Sequence, residues 1–277
     1  MKIGLALGGG GARGLAHIAI LEAFDELGVK PAMIAGTSIG ALIGAAYASG
    51  MSAREIRGYC EAAFAKRSAL LRHLFSRWRG RVWDYWRPGS PALFKSERVF
   101  ELVLPASLPK TFEELQIPVQ TVAADFFSQR ECIMASGPLL PAIAASAALP
   151  ALLTPVQMGD RFLIDGGFVN PLPFDLVQAE TDYVIAVDVT GGSGGIGGKF
   201  PRPLEALLGA QQIALRSIIN AKLKVSAPDL LLRPPVSQFG VLDFRHLGEI
   251  LAASAGAKEE LLAVLAAIEN RKPNTAS

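Results

Sequence analysis

Short, almost wholly apolar runs alternate along the chain with longer stretches in which apolar residues recur at helical spacing. Residues 2–7 (Lys2-Ile3-Gly4-Leu5-Ala6-Leu7) read as a buried first strand that runs into glycines. A helix follows through about Leu27, with Gly28 as its stop. Met33 to Ala35 is a second short strand, and Ala41 to Ser49 a small-residue helix. Further helices are expected over Ala53 to Phe64, with Ser52 as cap, and over Ser96 to Leu104. Thr111-Phe112-Glu113-Glu114 has the form of a capping box. Pro118 to Ala124 and Glu131 to Ala135 are strands flanking a turn, and Pro138 to Pro155 reads as helix, turn and loop. Arg161 to Asp165 is an apolar strand ending on an acid, and Tyr183 to Val189 is β-branched enough for a central strand. Gly191 to Gly198, six glycines in eight residues, is a surface loop. Two helical stretches, Leu204 to Lys224 and His246 to Ile268, close the pattern before a frayed tail at Lys272 to Ser277. Strands alternating with helices predict one α/β domain over residues 1–277, a mostly parallel central sheet with helices on both faces.

Composition narrows the function class. An apolar fraction of 51% against 19% charged residues provides for a sizeable core, and a net charge of +2 argues against a nucleic-acid binder. Cys60 and Cys132 lack CxxC spacing and metal-ligand neighbours, so they read as reduced core residues. No apolar run approaches the roughly 18 residues needed to span a bilayer, and the N-terminal run dissolves into glycines too soon for a signal peptide. The expected location is therefore cytoplasmic, with peripheral membrane contact. No cofactor and no metal is expected.

Two turns carry candidate chemistry. Gly36-Thr37-Ser38-Ile39-Gly40 is a G-x-S-x-G pentapeptide between a strand and a helix. A serine on such a turn projects its hydroxyl at the carboxyl end of a sheet, with helix amides aimed at the charge that develops during attack. Upstream, Gly8-Gly9-Gly10-Gly11-Ala12-Arg13-Gly14 joins the first strand to the first helix. Its free amides suit a dinucleotide, a nucleoside triphosphate or a reaction oxyanion. The loop ends Arg13-Gly14-Leu15 rather than Gly-Lys-Ser/Thr, and the second strand delivers Gly36 and Ser38 where a dinucleotide fold wants an acid. Adjacent parallel strands would bring both turns to one sheet edge, so the loop amides could reach a carbonyl under attack by Ser38.

The base is open at this point. The histidines are His17, His73 and His246, none in a context marking a base, although His246 follows the serine in the chain order of the α/β-hydrolases. A carboxylate is the alternative: Asp165-Gly166-Gly167 follows an apolar strand, and by itself is also a plain Asp-Gly turn.

Taken together, the motifs resemble the patatin-like phospholipase family, and most closely its compact bacterial members. Gly9-Gly10-Gly11-Ala12-Arg13-Gly14 is similar to the family's oxyanion-hole loop, and Gly36 to Gly40 to its nucleophile elbow. Asp165-Gly166-Gly167 is similar to its D-G-G/A motif, continued by Asn170 and Pro171. Ala145-Ser146-Ala147-Ala148-Leu149-Pro150, closing with Pro155, resembles a fourth block, and all stand in the family's order. The resemblance implies a three-layer fold and a lipid acyl-ester hydrolase with a Ser38–Asp165 dyad. Amides around Gly9, Gly10 and Gly11 would hold the oxyanion, and a partly desolvated site would raise the aspartate's pKa. Arg13 would shape the loop, steer an anionic head group, or form a structural ion pair. Two alternatives stand beside this reading: a catalytically weak regulatory or scaffolding relative, and a Ser–His–Asp esterase using His246.

Residues 66–87 differ from the rest. Seven basic residues against Asp84 alone, with Trp78, Trp83 and Trp86, suit an anionic membrane surface; the other reading is a surface insertion that packs its aromatics on the domain, and in either case residues 66–95 are expected as a basic aromatic insertion within it. The expected partners are thus a lipid or ester substrate and this membrane contact.

Overall fold

The computed structural model describes residues 1–63, 94–150, 152–191 and 203–270. The basic aromatic stretch 66–87, most of the 66–95 insertion, nearly all of the 191–198 glycine loop and the tail lie outside the described residues.

Among the described residues eight strands form one sheet. At its centre β1 (Ile3–Leu7) pairs in parallel with β2 (Met33–Thr37) on one side and β7 (Tyr183–Val187) on the other. β2 pairs in parallel with β3 (Val119–Asp125), and β7 with β8 (Leu230–Leu232). The remaining pairings are antiparallel: β4 (Arg130–Met134) on β3, β5 (Val156–Met158) on β6 (Arg161–Asp165), and β6 on β3. The expected mostly parallel sheet is thus a parallel centre with an antiparallel margin.

The period-two pattern of the central strands sorts their side chains onto two buried faces. Leu5, Leu7, Ile34, Ile185 and Val187 pack on one face with α1 (Ala16–Glu26), α2 (Ile39–Ala48) and α9 (Ala255–Asn270). Ala6, Met33, Ala35, Val184 and Ala186 pack on the other with α6 (Phe174–Gln178) and Ile219 of α7 (Pro203–Val225). The other helices are α3 (53–63), α4 (Ser96–Val103), α5 (Leu139–Ser146) and α8 (Leu247–Ala253). Among the described residues no helix is long and apolar enough to cross a membrane.

Most element boundaries follow their local signals. Gly28 ends α1 at φ 64°, and Ser52 and Glu55 form a reciprocal capping box ahead of α3. Thr111 departs from expectation. Phe112–Glu114 makes only a single 3₁₀ turn, and Glu114 accepts from the Lys110 amide rather than pairing with Thr111. Thr111 is bridged to Pro138 and the Phe112 amide donates to Gly137, so tertiary pairing draws the chain out of helix before β3. The C-terminal helix also divides: Ser254, fully buried, separates α8 from α9 and bonds back to the Ile250 carbonyl at 2.7 Å.

One register fixes the site. β4 occupies one edge of β3 along Thr121–Asp125, so the opposite edge is shared. β2 takes it from Val119 to Val122, and β6, running the other way, takes it from Asp125 back to Ala123. The two strands therefore meet end to end. Thr37 sits opposite Val122 and Asp165 opposite Ala123, which delivers Ser38 and Asp165 to the same point.

Candidate active site

Ser38 turns the chain from β2 into α2 with φ 56° and ψ −120°, a conformation that non-glycine residues rarely hold and that costs about 1–3 kcal/mol. Its surroundings impose it. The Ser38 N–H donates to Ser146 Oγ at 2.9 Å, and the Thr37 hydroxyl donates to the Asn170 carbonyl at 2.7 Å. The flanking glycines are steric requirements. A Cβ on Gly36 would stand 2.6 Å from the Ala41 backbone, and one on Gly40 would stand 2.1 Å from the Leu7 carbonyl oxygen.

Ser38 Oγ donates to Asp165 Oδ2 at 2.7 Å. The other carboxylate oxygen, Oδ1, accepts from the Gly167 N–H at 2.8 Å, and the Asp165 amide is anchored on the Ala148 carbonyl at 3.1 Å. Gly166 permits this turn, because a Cβ there would sit 2.1 Å from the Val122 carbonyl oxygen. The carboxyl group is almost wholly buried, and burial pushes its pKa up from 3.8 to about 6 against the lowering effect of the two hydrogen bonds.

The glycine loop lies over this pair: a Cβ on Gly9 would be 3.5 Å from the Ser38 Cβ. The glycine N–H groups of the loop differ in what they already hold. The Gly9 N–H is already given to the Pro171 carbonyl at 2.9 Å, and that of Gly8 to Val187 at 3.0 Å. No acceptor among the described residues takes the N–H of Gly10 or Gly11. His17 braces the loop from beneath. Burial lowers its pKa to about 4, so the ring is neutral and Nε2–H donates to the Gly8 carbonyl at 2.8 Å. Gly14 packs against the first residue of α2, where a Cβ would be 2.1 Å from Ile39 Cγ2.

Arg13 points away from the dyad into a web of neutral acceptors. Its Nε donates to the Phe239 carbonyl at 2.6 Å, and one terminal nitrogen to the Thr190 carbonyl at 2.5 Å and Gln212 Oε1 at 3.2 Å. It ties the glycine loop to α7 and to the segments after β7 and β8.

His246 is half-exposed and its Nδ1 lies 2.8 Å from Glu249 Oε1; the Ser38 hydroxyl is hydrogen-bonded directly to Asp165 with no imidazole between. His73 lies outside the described residues. Among the described residues no group of three or more His, Cys, Asp or Glu side chains could hold a metal ion. Cys60 and Cys132 are both free thiols.

Several supporting residues escaped sequence reasoning. Ser146 stood in the Ala145–Pro150 block without a role, yet its buried hydroxyl holds the strained Ser38 amide. Asn170 accepts from Thr37 through its carbonyl, donates its amide to Glu131 at 2.8 Å, and accepts from Lys222 of α7. Lys222 also reaches Asp175 at 2.5 Å and the Leu172 carbonyl at 3.0 Å. Nothing in the local sequence around Lys222 marks it, because its partners lie 47 to 52 residues away.

The patatin-like phospholipase family model matches residues 5–177, which contain every residue of the dyad and the glycine loop. An uncharacterized NTE family protein of Mycobacterium tuberculosis is 34% identical over 197 residues, covering 70% of this chain and 51% of that protein. The lysophospholipase nte1 of Neurospora crassa is 30% identical and covers 94% of this chain, but only 18% of its own length. The chain thus spans about half or less of these curated relatives. The crystal structure of VipD from Legionella pneumophila superposes with a TM-score of 0.50 at 12% identity, over 95% of this chain and 66% of that one, a likeness of fold. With the elbow, the glycine loop and the D-G-G turn assembled at one sheet edge, and the family model covering well over half its length, this chain belongs to the patatin-like phospholipase family.

Proposed function

We propose that the protein is a serine acyl-ester hydrolase acting on lipids of the phospholipid or lysophospholipid class, working through Ser38 and Asp165. The observation that carries the reading is the 2.7 Å hydrogen bond from Ser38 Oγ to Asp165 Oδ2 at a strained elbow. The names of the relatives, a lysophospholipase among them, support the substrate class.

In this mechanism Ser38 Oγ attacks the ester carbonyl carbon while its proton passes to Asp165 Oδ2. A carboxylate with a pKa of about 6 is mostly ionised at pH 7 and a stronger base than an ordinary aspartate. The Gly10 and Gly11 N–H groups hold the oxyanion, while Gly9, pinned to Pro171, fixes the loop that presents them. Collapse of the tetrahedral intermediate breaks the ester C–O bond, and Asp165 returns the proton to the departing alkoxide. Water then attacks the acyl-serine, gives its proton to Asp165, and the acid product leaves as Ser38 recovers its hydroxyl. The cluster of cations and tryptophans at 66–87, outside the described residues, is read as a contact for anionic membranes.

A fluorophosphonate probe followed by peptide mapping tests the assignment. The expected result is labelling at Ser38 that is lost in Ser38→Ala and strongly slowed in Asp165→Asn. Labelling on another residue, or normal ester turnover by Asp165→Asn, would refute the dyad.

A further inference from the structure

The exposed phenylalanines are concentrated on one side of the molecule. Among the described residues they are Phe126, Phe127, Phe162 and Phe168. Phe168 follows Asp165 by three residues, and the other three sit at the tip of the antiparallel margin. Their position follows from the register. Ala123 is level with Asp165, and β3 continues past it to Asp125 before turning at Phe126–Gln129. At about 3.3 Å per residue the tip stands roughly 10 Å beyond the dyad, in the direction in which β2 delivers Ser38.

The tip is preformed. Phe126 and Phe127 pack edge-on at 5.3 Å, and Phe127 and Phe162 edge-on at 5.8 Å. The turn beneath is held by the Phe126 N–H on the Phe162 carbonyl at 2.9 Å and by the Phe127 N–H on Asp125 Oδ1 at 3.2 Å. Even so, Phe127 remains 74% exposed and Phe126 55%. On the other side of the dyad, α7 touches Gly167 through Leu215 and leaves Ile213 72% exposed.

Two features select the occupant. The three tip rings offer roughly 300 Å² of apolar surface at about 150–250 Å² per whole ring, far below the roughly 800 Å² per partner of a stable protein interface. The nearby charges are also close to balance. Arg130 and Arg161 stand in this margin against Asp125, Glu131 and Asp160, and Arg161 helps to lower the Asp125 pKa. Such a tip is suited to inserting rings rather than to following an electric field, and phenyl faces accept a quaternary ammonium. Resting on the lipid-hydrolase reading, we propose that the Phe126–Phe127–Phe162 tip docks the protein on a zwitterionic phosphocholine surface and so sets the dyad over its substrate.

Flotation with phosphatidylcholine vesicles tests this, using the Ser38→Ala protein so that the lipid is not consumed. The expected result is binding that high salt does not weaken, and that falls about tenfold or more when Phe126→Ser and Phe127→Ser are added. With Ser38 intact, the double variant keeps its kcat/KM on a soluble short-chain ester and loses rate on vesicles. Equal vesicle binding with and without the two phenylalanines would overturn the proposal, as would failure of the parent to bind. A concentration-dependent dimer that dissolves in the double variant would assign the tip to a second copy instead. Vesicle binding that depends on the tip, without any ester turnover, would leave the docking intact and remove the hydrolase reading.

Discussion

Burial of Asp165, the proposed base, carries a cost in stability, and that cost is measurable. Its carboxyl group titrates near 3.8 when free and at about 6 in the folded protein, chiefly because burial penalises the charge. A difference of about two units at 1.36 kcal/mol each is about 3 kcal/mol. The sign follows from proton uptake. Between pH 3.8 and about 6 the native state binds more protons than the unfolded chain, so stability falls as pH rises through that window. Below it the penalty is absent, and above it the penalty is full. Asp165→Asn keeps the shape and an oxygen for the Gly167 N–H but removes the charge. The variant should match the parent at pH 4 and exceed it above pH 7 by about 1–3 kcal/mol, the weaker bond to Ser38 taking part of the gain. For a chain of this size that is a rise of roughly 2–6 °C in Tm. Thermal melts from pH 4 to pH 8, alongside turnover of a short nitrophenyl ester, read both effects. The variant should be more stable and inactive by several orders of magnitude. A stability difference that is flat with pH, or one that favours the parent at pH 8, would refute the argument that burial of the Asp165 charge outweighs its two hydrogen bonds.

The same carboxyl group should place an ascending limb near pH 6 in kcat/KM for a soluble ester, with a plateau above it; a pH-independent rate from 5 to 8 would exclude Asp165 as the base. Ser146→Ala leaves the Ser38 N–H without its acceptor, at a cost of about 1–3 kcal/mol, and should lower kcat at least about tenfold with little change in KM. His17, held neutral with a pKa of about 4 against the usual 6.5, contributes stability that is complete above pH 6.5 and lost as pH falls toward 4, about 3 kcal/mol in all. His17→Gln should lack this rise, so its urea midpoint should drop relative to the parent's as pH increases from 4 to 6.5. Gly40→Ala places a methyl 2.1 Å from the Leu7 carbonyl and should prevent accumulation of folded protein, whereas Gly58→Ala, with nothing within 4 Å, should be neutral or stabilising by about 1 kcal/mol in a melt.

The legible parts of this site are those written within a few residues. The glycine loop follows β1 and the elbow follows β2, and each strand-to-helix turn needs small residues at fixed offsets; their parallel pairing, Leu7 opposite Gly36, then brings the turns together. Asp165 was legible from its own residues only as a candidate, and its pairing with Ser38 came from the family resemblance. Its approach depends on β6 running against β3 and stopping one residue beyond the end of β2, a fact of three-strand register that no local pattern contains. Ser146 and Lys222 were silent for the same reason, since each acts on a residue more than 50 positions away. Thr111 shows the converse, a good local helix signal overruled by a bridge to Pro138. Gly9 is the finest-grained case. Three successive glycines are equivalent as sequence, and what separates them is one carbonyl, that of Pro171. It takes the N–H of the first and leaves the N–H groups of Gly10 and Gly11 without an acceptor among the described residues. That carbonyl lies six residues beyond Asp165, so the segment that carries the proposed base also orients the loop proposed to hold the oxyanion. A displacement of the D-G-G turn would therefore disturb proton transfer and oxyanion binding together, and variants on either side of it should show coupled rather than additive losses.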